Sequence, residues 1–257
     1  MYKIPDKTVF MGKKIISLPA CESTNSLMIS MAQGSRLDEG TIIVTENQTV
    51  GRGQAGNQWI SEPGANLTFS VLLKPGFLEP NQQFYLNMAV GLGICDAVSE
   101  IILTHKDDLE VKLKWPNDVL VNGKKVCGIL IENQVQGQQY AQAVAGIGLN
   151  VNQTNFEWPL ASSLSLCAEA DLDKGKLFDL LLTRLETRYE QLRIKSFKAL
   201  KDDYYRILYW KDERHEFSSN GQTFTGTIKG IDEIGRLLVQ DVERLQSFNF
   251  KEIKFLA

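Results

Sequence analysis

The chain has 257 residues, 43% of them hydrophobic and 23% charged, with a formal net charge of −3, the profile of a soluble globular protein with one large domain or one domain plus a small one. That acidic balance argues against non-specific nucleic-acid binding as the main task. Two histidines, His105 and His215, are too few for a His-based metal centre or a Ser-His-Asp triad.

The four cysteines, Cys21, Cys95, Cys127 and Cys167, contain no C-x-x-C pair and read as thiols of a reducing compartment rather than a disulfide frame. The N-terminus carries Lys3, Lys7, Lys13 and Lys14 without an apolar core or cleavage pattern, so it is no secretory signal. No apolar run approaches the ~20 residues of a membrane span. The expected location is the cytoplasm.

In chain order, Ser23-Thr24-Asn25 opens a helix that runs to Gln33 and stops at Gly34. Thr41 to Thr45 reads as a buried strand from its β-branched content. Gln48 to Asn66 is a long, polar, glycine-rich loop, a length usually tied to function or disorder. Leu67 to Leu73 is the next strand. A helix from Pro80 to Leu103 sets Phe84, Met88, Leu92, Cys95 and Ile102 on one stripe. Strands follow at 111–115, 118–122, 126–135 and 139–149, then helices at 174–195 and 196–208. After Trp210 short strands take over, at 224–229, 237–239 and 247–250. This tail of ~45 residues, near the lower size limit for folding alone, reads as a small β-barrel docked on the main domain. The boundary is expected at 208–215, giving domains 1–210 and 211–257.

Gly51-Arg52-Gly53-Gln54-Ala55-Gly56 matches G-x-G-x-x-G. The dinucleotide reading requires a helix directly afterwards and an acidic residue ~20 positions on. The following segment contains Pro63 and Gly64, and position 76 is Gly, so that reading fails. A P-loop fails too, because no Gly-Lys-Ser/Thr follows. Two readings remain open. The loop folds over a bound anion, with Arg52 as a bidentate grip and Trp59 as a cover, or it is a surface loop with an incidental arginine.

Lys114-Trp115-Pro116-Asn117-Asp118 is the densest chemical segment, followed by Lys124-Lys125 and Gly128-Ile129-Leu130-Ile131-Glu132. Asn122-Gly123 suits a two-residue hairpin turn, in which both central residues take positive φ. That hairpin would return Lys125 towards Lys114 and Asp118. Lysines for phosphate or carboxylate oxygens and one carboxylate for a hard cation are what a nucleotide-activating site needs.

Taken together, Glu22-Ser23-Thr24-Asn25, Gln48 with Gly51-Arg52-Gly53, Trp59 and Ser61, Gly64 to Leu67, the Lys114–Asp118 and Lys125–Glu132 segments, and Gly146 to Asn152 resemble the biotin protein ligases. The tail, with Gly226 to Asp232 and Gly235-Arg236-Leu237, looks like that family's SH3-like C-terminal barrel. The resemblance implies an α/β (α+β) mixed-sheet catalytic domain and two half-reactions. Biotin and Mg·ATP give biotinoyl-5′-AMP and pyrophosphate, then a lysine of a biotin carboxyl carrier domain takes the biotinoyl group.

By the same resemblance, Lys125 and Arg52 would be catalytic. Ser23, Thr24, Asn25, Gln48, Gly51, Gly53, Trp59 and Gly128 would join them around biotin. Gln54, Lys114, Asn117, Asp118 and Asn150 would serve the nucleotide, with Asp118 also on Mg²⁺. Plainer readings stand beside these: a helix N-cap for Ser23 or Thr24, turn chemistry for Asn117, Asp118 and Asn150. Gln54 stands where many members carry a second arginine, which implies looser retention of the adenylate. With 22 residues before Ser23, the expectation is a stand-alone ligase, monomer or homodimer, without nucleic-acid or membrane partners. A lipoate or octanoate ligase or transferase is the alternative.

Overall fold

The computed structural model describes residues 2–136 and 139–256. A seven-stranded mixed sheet organises the larger part. Its strands are β1 (Ile15–Leu18), β2 (Ile42–Thr45), β3 (Leu67–Leu73), β4 (Val111–Lys114), β5 (Asp118–Val121), β6 (Lys124–Gln136) and β7 (Gln139–Leu149), in the spatial order β1-β2-β3-β7-β6-β5-β4. Only β1 and β2 run parallel; every other neighbouring pair is antiparallel. Among the described residues five α-helices accompany it: α1 (Thr24–Gly34), α2 (Gln83–Ile102), α3 (Leu164–Ala168), α4 (Lys174–Arg193) and α5 (Phe197–Ile207).

Strand alternation divides the sheet into two faces. Leu67, Phe69, Val71 and Leu73 of β3, with Ala143, Ala145, Ile147 and Leu149 of β7, belong to the main core with α2 and α4. The opposite face carries Leu72, Val144 and Ile43, which bury Met28 of α1 in a second, smaller cluster. The rest of that face carries Thr68, Ser70, Gly146 and Gly148, which are too small or polar to make a core. There the cavity lies.

The helix stripe expected from Phe84 to Ile102 is buried, but so is most of the rest of α2. The segment Pro80–Ile102 is long and apolar enough to span a bilayer by length and composition, which corrects the sequence reading, yet 67% of its most apolar window is buried inside the protein. Asn122 and Gly123 take φ of 46° and 77°, as the two-residue turn requires. The four cysteines are unpaired thiols. His215 stacks on Trp210 at 3.8 Å, an ordinary packing role.

The second sheet is wholly antiparallel. It comprises β8 (Arg214–Ser219), β9 (Gln222–Ile231), β10 (Leu237–Gln240), β11 (Leu245–Phe248) and β12 (Lys254–Leu256), ordered β11-β10-β9-β8-β12. Phe217, Ile228, Leu237, Val239 and Phe248 fill this SH3-like domain. The sequence reading omits β1, β8, β12 and α3. Three of these are only three to five residues long, and β8 buries Phe217 alone, so neither periodicity nor composition rises above its surroundings.

The small domain is fastened to the large one. Trp115 Nε1 donates to Gly235 O at 2.9 Å, and Tyr205 both donates to Ile231 O and accepts from Ile231 N, at 3.0 and 3.1 Å. These bonds bring the segment 250–255 to the cavity.

Candidate active site

One row of the sheet forms the cavity floor. Thr68 pairs with Gly148, Gly148 with Gly128, Gly128 with Asp118, and Asp118 with Lys114, across five adjacent strands. All five line a cavity of about 630 Å³. Its second and third members are glycines, so a bare stretch lies between Thr68 at one end and Asp118 and Lys114 at the other.

Trp59 lies on that bare stretch. A Cβ on Gly128 would stand 2.9 Å from its ring, and one on Gly148 would overlap the indole outright. Gly146, next on the same face of β7, leaves equivalent room for the Asn25 amide. Glycine serves here by lacking a side chain rather than by an unusual φ. The Trp59 indole N–H is buried without a hydrogen-bond partner, as is Oε1 of Gln54; both residues line the cavity.

Lys125 reaches the floor through a β-bulge. Val119 opposes Cys127, but Leu120 opposes Lys125, so Val126 is an extra residue. Strict alternation from Gly128 would turn Lys125 away; the bulge re-aims it. Its Nζ pairs with Asp118 Oδ1 at 2.7 Å and lies 5.6 Å from the Trp59 ring centre. The loop 160–162 holds its backbone, since Lys125 N donates to Leu160 O at 2.7 Å and Ser162 N to Lys125 O at 2.9 Å. Burial, seconded by the nearby Lys125 charge, lowers the Lys114 pKa against the pull of Asp118. The Lys114 ammonium lies 4.7 Å from the Phe255 ring centre.

At the other end a hydrogen-bond chain joins the first turn of α1 to the glycine loop. Ser23 caps the helix by accepting from Ser26 N at 3.4 Å. Thr24 donates to Gln48 Oε1 through its backbone N–H at 2.9 Å and its hydroxyl at 3.3 Å. The Ser70 hydroxyl donates to Asn25 Oδ1 at 2.6 Å and lies 2.7 Å from Thr24 Oγ1. Asn25 Nδ2 donates to Glu132 Oε2 at 2.9 Å, and Arg52 pairs with Glu132 Oε1 at 2.6 Å.

Of the residues singled out from sequence, Ser23, Thr24, Asn25, Gln48, Arg52, Gly53, Gln54, Trp59, Lys114, Asn117, Asp118, Lys125 and Gly128 all line this cavity. Gly51 and Asn150 lie outside its lining. Gly51 packs against the Trp59 carbonyl within the loop. Asn150 is buried and donates to Ser162 O at 3.0 Å, bracing the loop behind Lys125. The Asn117 side-chain amide donates to the Ile129 carbonyl, so one of its two N–H donors fastens the corner to β6.

Sequence reasoning missed Thr68, Ser70, and Phe250, Lys254 and Phe255 from the small domain, and it singled out the segments with Glu132, Gly146 and Gly148 without giving those three a role. Part of this was visible. Thr68 and Ser70 are alternate polar positions in an apolar strand, and Gly146 and Gly148 are alternate glycines in another. The contribution of the C-terminal segment depends on domain docking and had no local signal.

A bare floor, an ion-paired lysine, a second, half-buried lysine and an arginine-bearing loop, closed by another domain, define a cavity for a flat, partly apolar, anionic ligand, the architecture of an acyl-activating protein ligase. A sequence model of the biotin/lipoate A/B protein ligase family matches residues 18–150, and one of the biotin protein ligase C-terminal domain matches residues 216–255. The chain is 30% identical over 262 residues to the bifunctional ligase/repressor BirA of Bacillus subtilis, covering 96% of this chain and 76% of that protein. It is 33% identical over 216 residues to the biotin–[acetyl-CoA-carboxylase] ligase of Mycobacterium tuberculosis, covering 84% and 79%. The solved structure of the biotin protein ligase from Aquifex aeolicus in complex with biotin and ATP aligns with a TM-score of 0.77 at 28% identity, over 94% of this chain and 98% of that one. The chain belongs to the biotin/lipoate A/B protein ligase family and, with its matching C-terminal domain, to the biotin protein ligases.

Proposed function

We propose that this cavity activates biotin with ATP and hands the biotinoyl group to a lysine of a biotin carboxyl carrier domain. In the first step a biotin carboxylate oxygen bonds to the α-phosphorus and the bond to the β-phosphate oxygen breaks, releasing pyrophosphate. In the second, the acceptor ε-amine attacks the acyl carbon, AMP leaves, and the amine loses a proton. The observation that carries this reading is the five-strand row Thr68–Gly148–Gly128–Asp118–Lys114, with Lys125 paired to Asp118 under Trp59.

Each residue has a physical task in this reading. Thr24, Asn25 and Gln48, with the Ser23 cap, supply donors and acceptors to the ureido ring, while the glycine floor and Trp59 supply the apolar slot. Gly51 lets the loop approach its own Trp59 carbonyl, Gly53 carries the chain closely past Asn57, and Gly128 lets the Trp59 ring lie against backbone beside the ligand. Lys125 meets the carboxylate and α-phosphate oxygens, where it stabilises charge that develops in the transition state. Lys114 and Asn117 face the polyphosphate, Gln54 the adenylate, and Arg52 closes the loop that keeps water from the reactive anhydride. Asn150 acts at the nucleotide end through the loop behind Lys125.

Asp118 is the single carboxylate among the described residues lining the cavity. That fits Mg²⁺, which takes one or two carboxylates and completes its shell with phosphate oxygens and water. The ion would neutralise phosphate charge when bound. We retain 1–210 and 211–257 as the two domains, a cytoplasmic setting supported by the unpaired thiols, and a monomer or homodimer without nucleic-acid or membrane partners. A lipoate or octanoate substrate is disfavoured by the C-terminal match, which is specific to biotin protein ligases.

The test is incubation with ATP, Mg²⁺, biotin and a carrier domain, followed by mass spectrometry of the carrier lysine. A biotinoyl mass gain is expected, reduced roughly 10²–10³-fold by Lys125→Ala. A gain with lipoate or octanoate but none with biotin would overturn the assignment.

A further inference from the structure

The tip of the glycine loop, residues 52–58, is joined to the rest of the molecule by few hydrogen bonds. Inside it, Gly53 N donates to Asn57 O at 2.7 Å, and Trp59 N returns to Gly51 O at 3.0 Å. Among the described residues, the hydrogen bonds that join this tip to anything else are two, both from Arg52: Nη2 to Glu132 Oε1 at 2.6 Å and Nη1 to Ser26 Oγ at 2.9 Å. The flanks are better secured. Thr49 N and Val50 N donate to the carbonyls of Cys21 and Glu22, and the Trp59 ring lies on the glycine floor.

Glu132 has a second commitment. Its other oxygen accepts from Asn25 Nδ2, which also donates to Leu130 O at 3.1 Å. From Asn25 the chain continues through Ser70 and Thr24 to Gln48, which stands just before the glycine loop. Glu132 thus ties the loop tip to the same side chains that face the ligand. It lies outside the cavity lining, and its side chain is 25% exposed against 44% for Arg52.

We propose that Glu132 is a positioning residue, the anchor that holds the glycine loop down over the cavity through Arg52 while orienting Asn25. A carboxylate suits both tasks, because its two oxygens accept separately from a guanidinium and an amide. The anchor acts before any ligand binds, and its effect on biotin rests on the function proposed above.

The ligand-free protein tests it directly, because trypsin cuts after Arg52. In Glu132→Gln, cleavage at Arg52, followed by mass spectrometry against cleavage elsewhere in the chain, should quicken roughly two- to fivefold, the range set by a half-exposed ion pair. The KM for biotin should rise by a similar factor with kcat changed less than about twofold, because the loop's closed population falls while the reacting groups stay in place. Glu132→Asp should recover part of both effects. Ser26→Ala, at an exposed position, should give a smaller increase in cleavage and serves if Glu132→Gln does not fold. Unchanged cleavage at Arg52 together with unchanged KM would overturn the proposal. Faster cleavage in a protein that transfers no biotin would leave the anchor standing and remove the functional reading instead.

Discussion

The indole of Trp59 rests on the backbone of Gly148, so closely that a single methyl group at position 148 would occupy its place. The contact couples a strand position that carries no side chain to the loop that covers the site. Gly148→Ala should keep the fold, because the clash falls on a loop side chain that can lift. Expelling the ring should cost about 1–3 kcal/mol of ligand binding, roughly a five- to 150-fold rise in the KM for biotin. Thermal melting should move little. Steady-state kinetics beside a melting curve checks both, and a large fall in melting temperature with normal KM would contradict the relationship.

Gln54 places a neutral amide with an unpartnered buried oxygen at the cavity wall. A guanidinium there would add a charge-assisted contact to an adenylate phosphate. Gln54→Arg should slow escape of the acyl-adenylate roughly five- to tenfold, an effect of about 1 kcal/mol. Rapid gel filtration of enzyme charged with biotin and ATP, with the retained intermediate followed over time, measures it. Equal escape rates would mean that the phosphate is gripped elsewhere.

The lowered pKa of Lys114 has a defined sign. Burial disfavours its charged form, so the ammonium is lost at a lower pH than an ordinary lysine loses its own. Affinity for ATP that depends on this cation is complete on the acid side and declines as pH rises through the lowered value. Folding responds oppositely: the unfolded chain binds the proton more tightly, so this residue adds stability as pH climbs from the lowered value to the ordinary one. A profile of KM for ATP against pH should turn upwards on the alkaline side, and Lys114→Arg should abolish the turn, because a guanidinium stays charged.

Glu186 is buried in α4 and accepts the backbone N–H groups of Val9, Phe10 and Met11 at 2.6, 3.0 and 2.7 Å. It fastens the N-terminal segment across the helix layer. Glu186→Gln removes the charge and one acceptor, leaving at least one amide facing an NH₂ group. The expected loss is about 2 kcal/mol, a fall of roughly 4–8 °C in melting temperature for a domain of this size. Calorimetry would show it, with the KM for biotin unaffected.

Much of this molecule is legible in its sequence because the signals are local. The Ser23 cap, the Asn122-Gly123 turn and the apolar run of α2 each act within a few residues, and so do the strands on either side of the hairpin. The segment 114–118 followed by Lys125 announced its chemistry through the density of charged and amide groups around a proline. Tertiary structure alone decided how those groups meet. The extra residue Val126 sets the face on which Lys125 stands, and only pairing with β5 reveals it. Glu132 became the partner of Arg52 because β6 and the glycine loop, 80 residues apart in sequence, lie side by side. Phe250, Lys254 and Phe255 reach the cavity because Trp115 and Tyr205 dock a second domain. Side-chain type and spacing are fixed along the chain, whereas proximity between distant segments comes only from burying shared apolar surface, which no local pattern records.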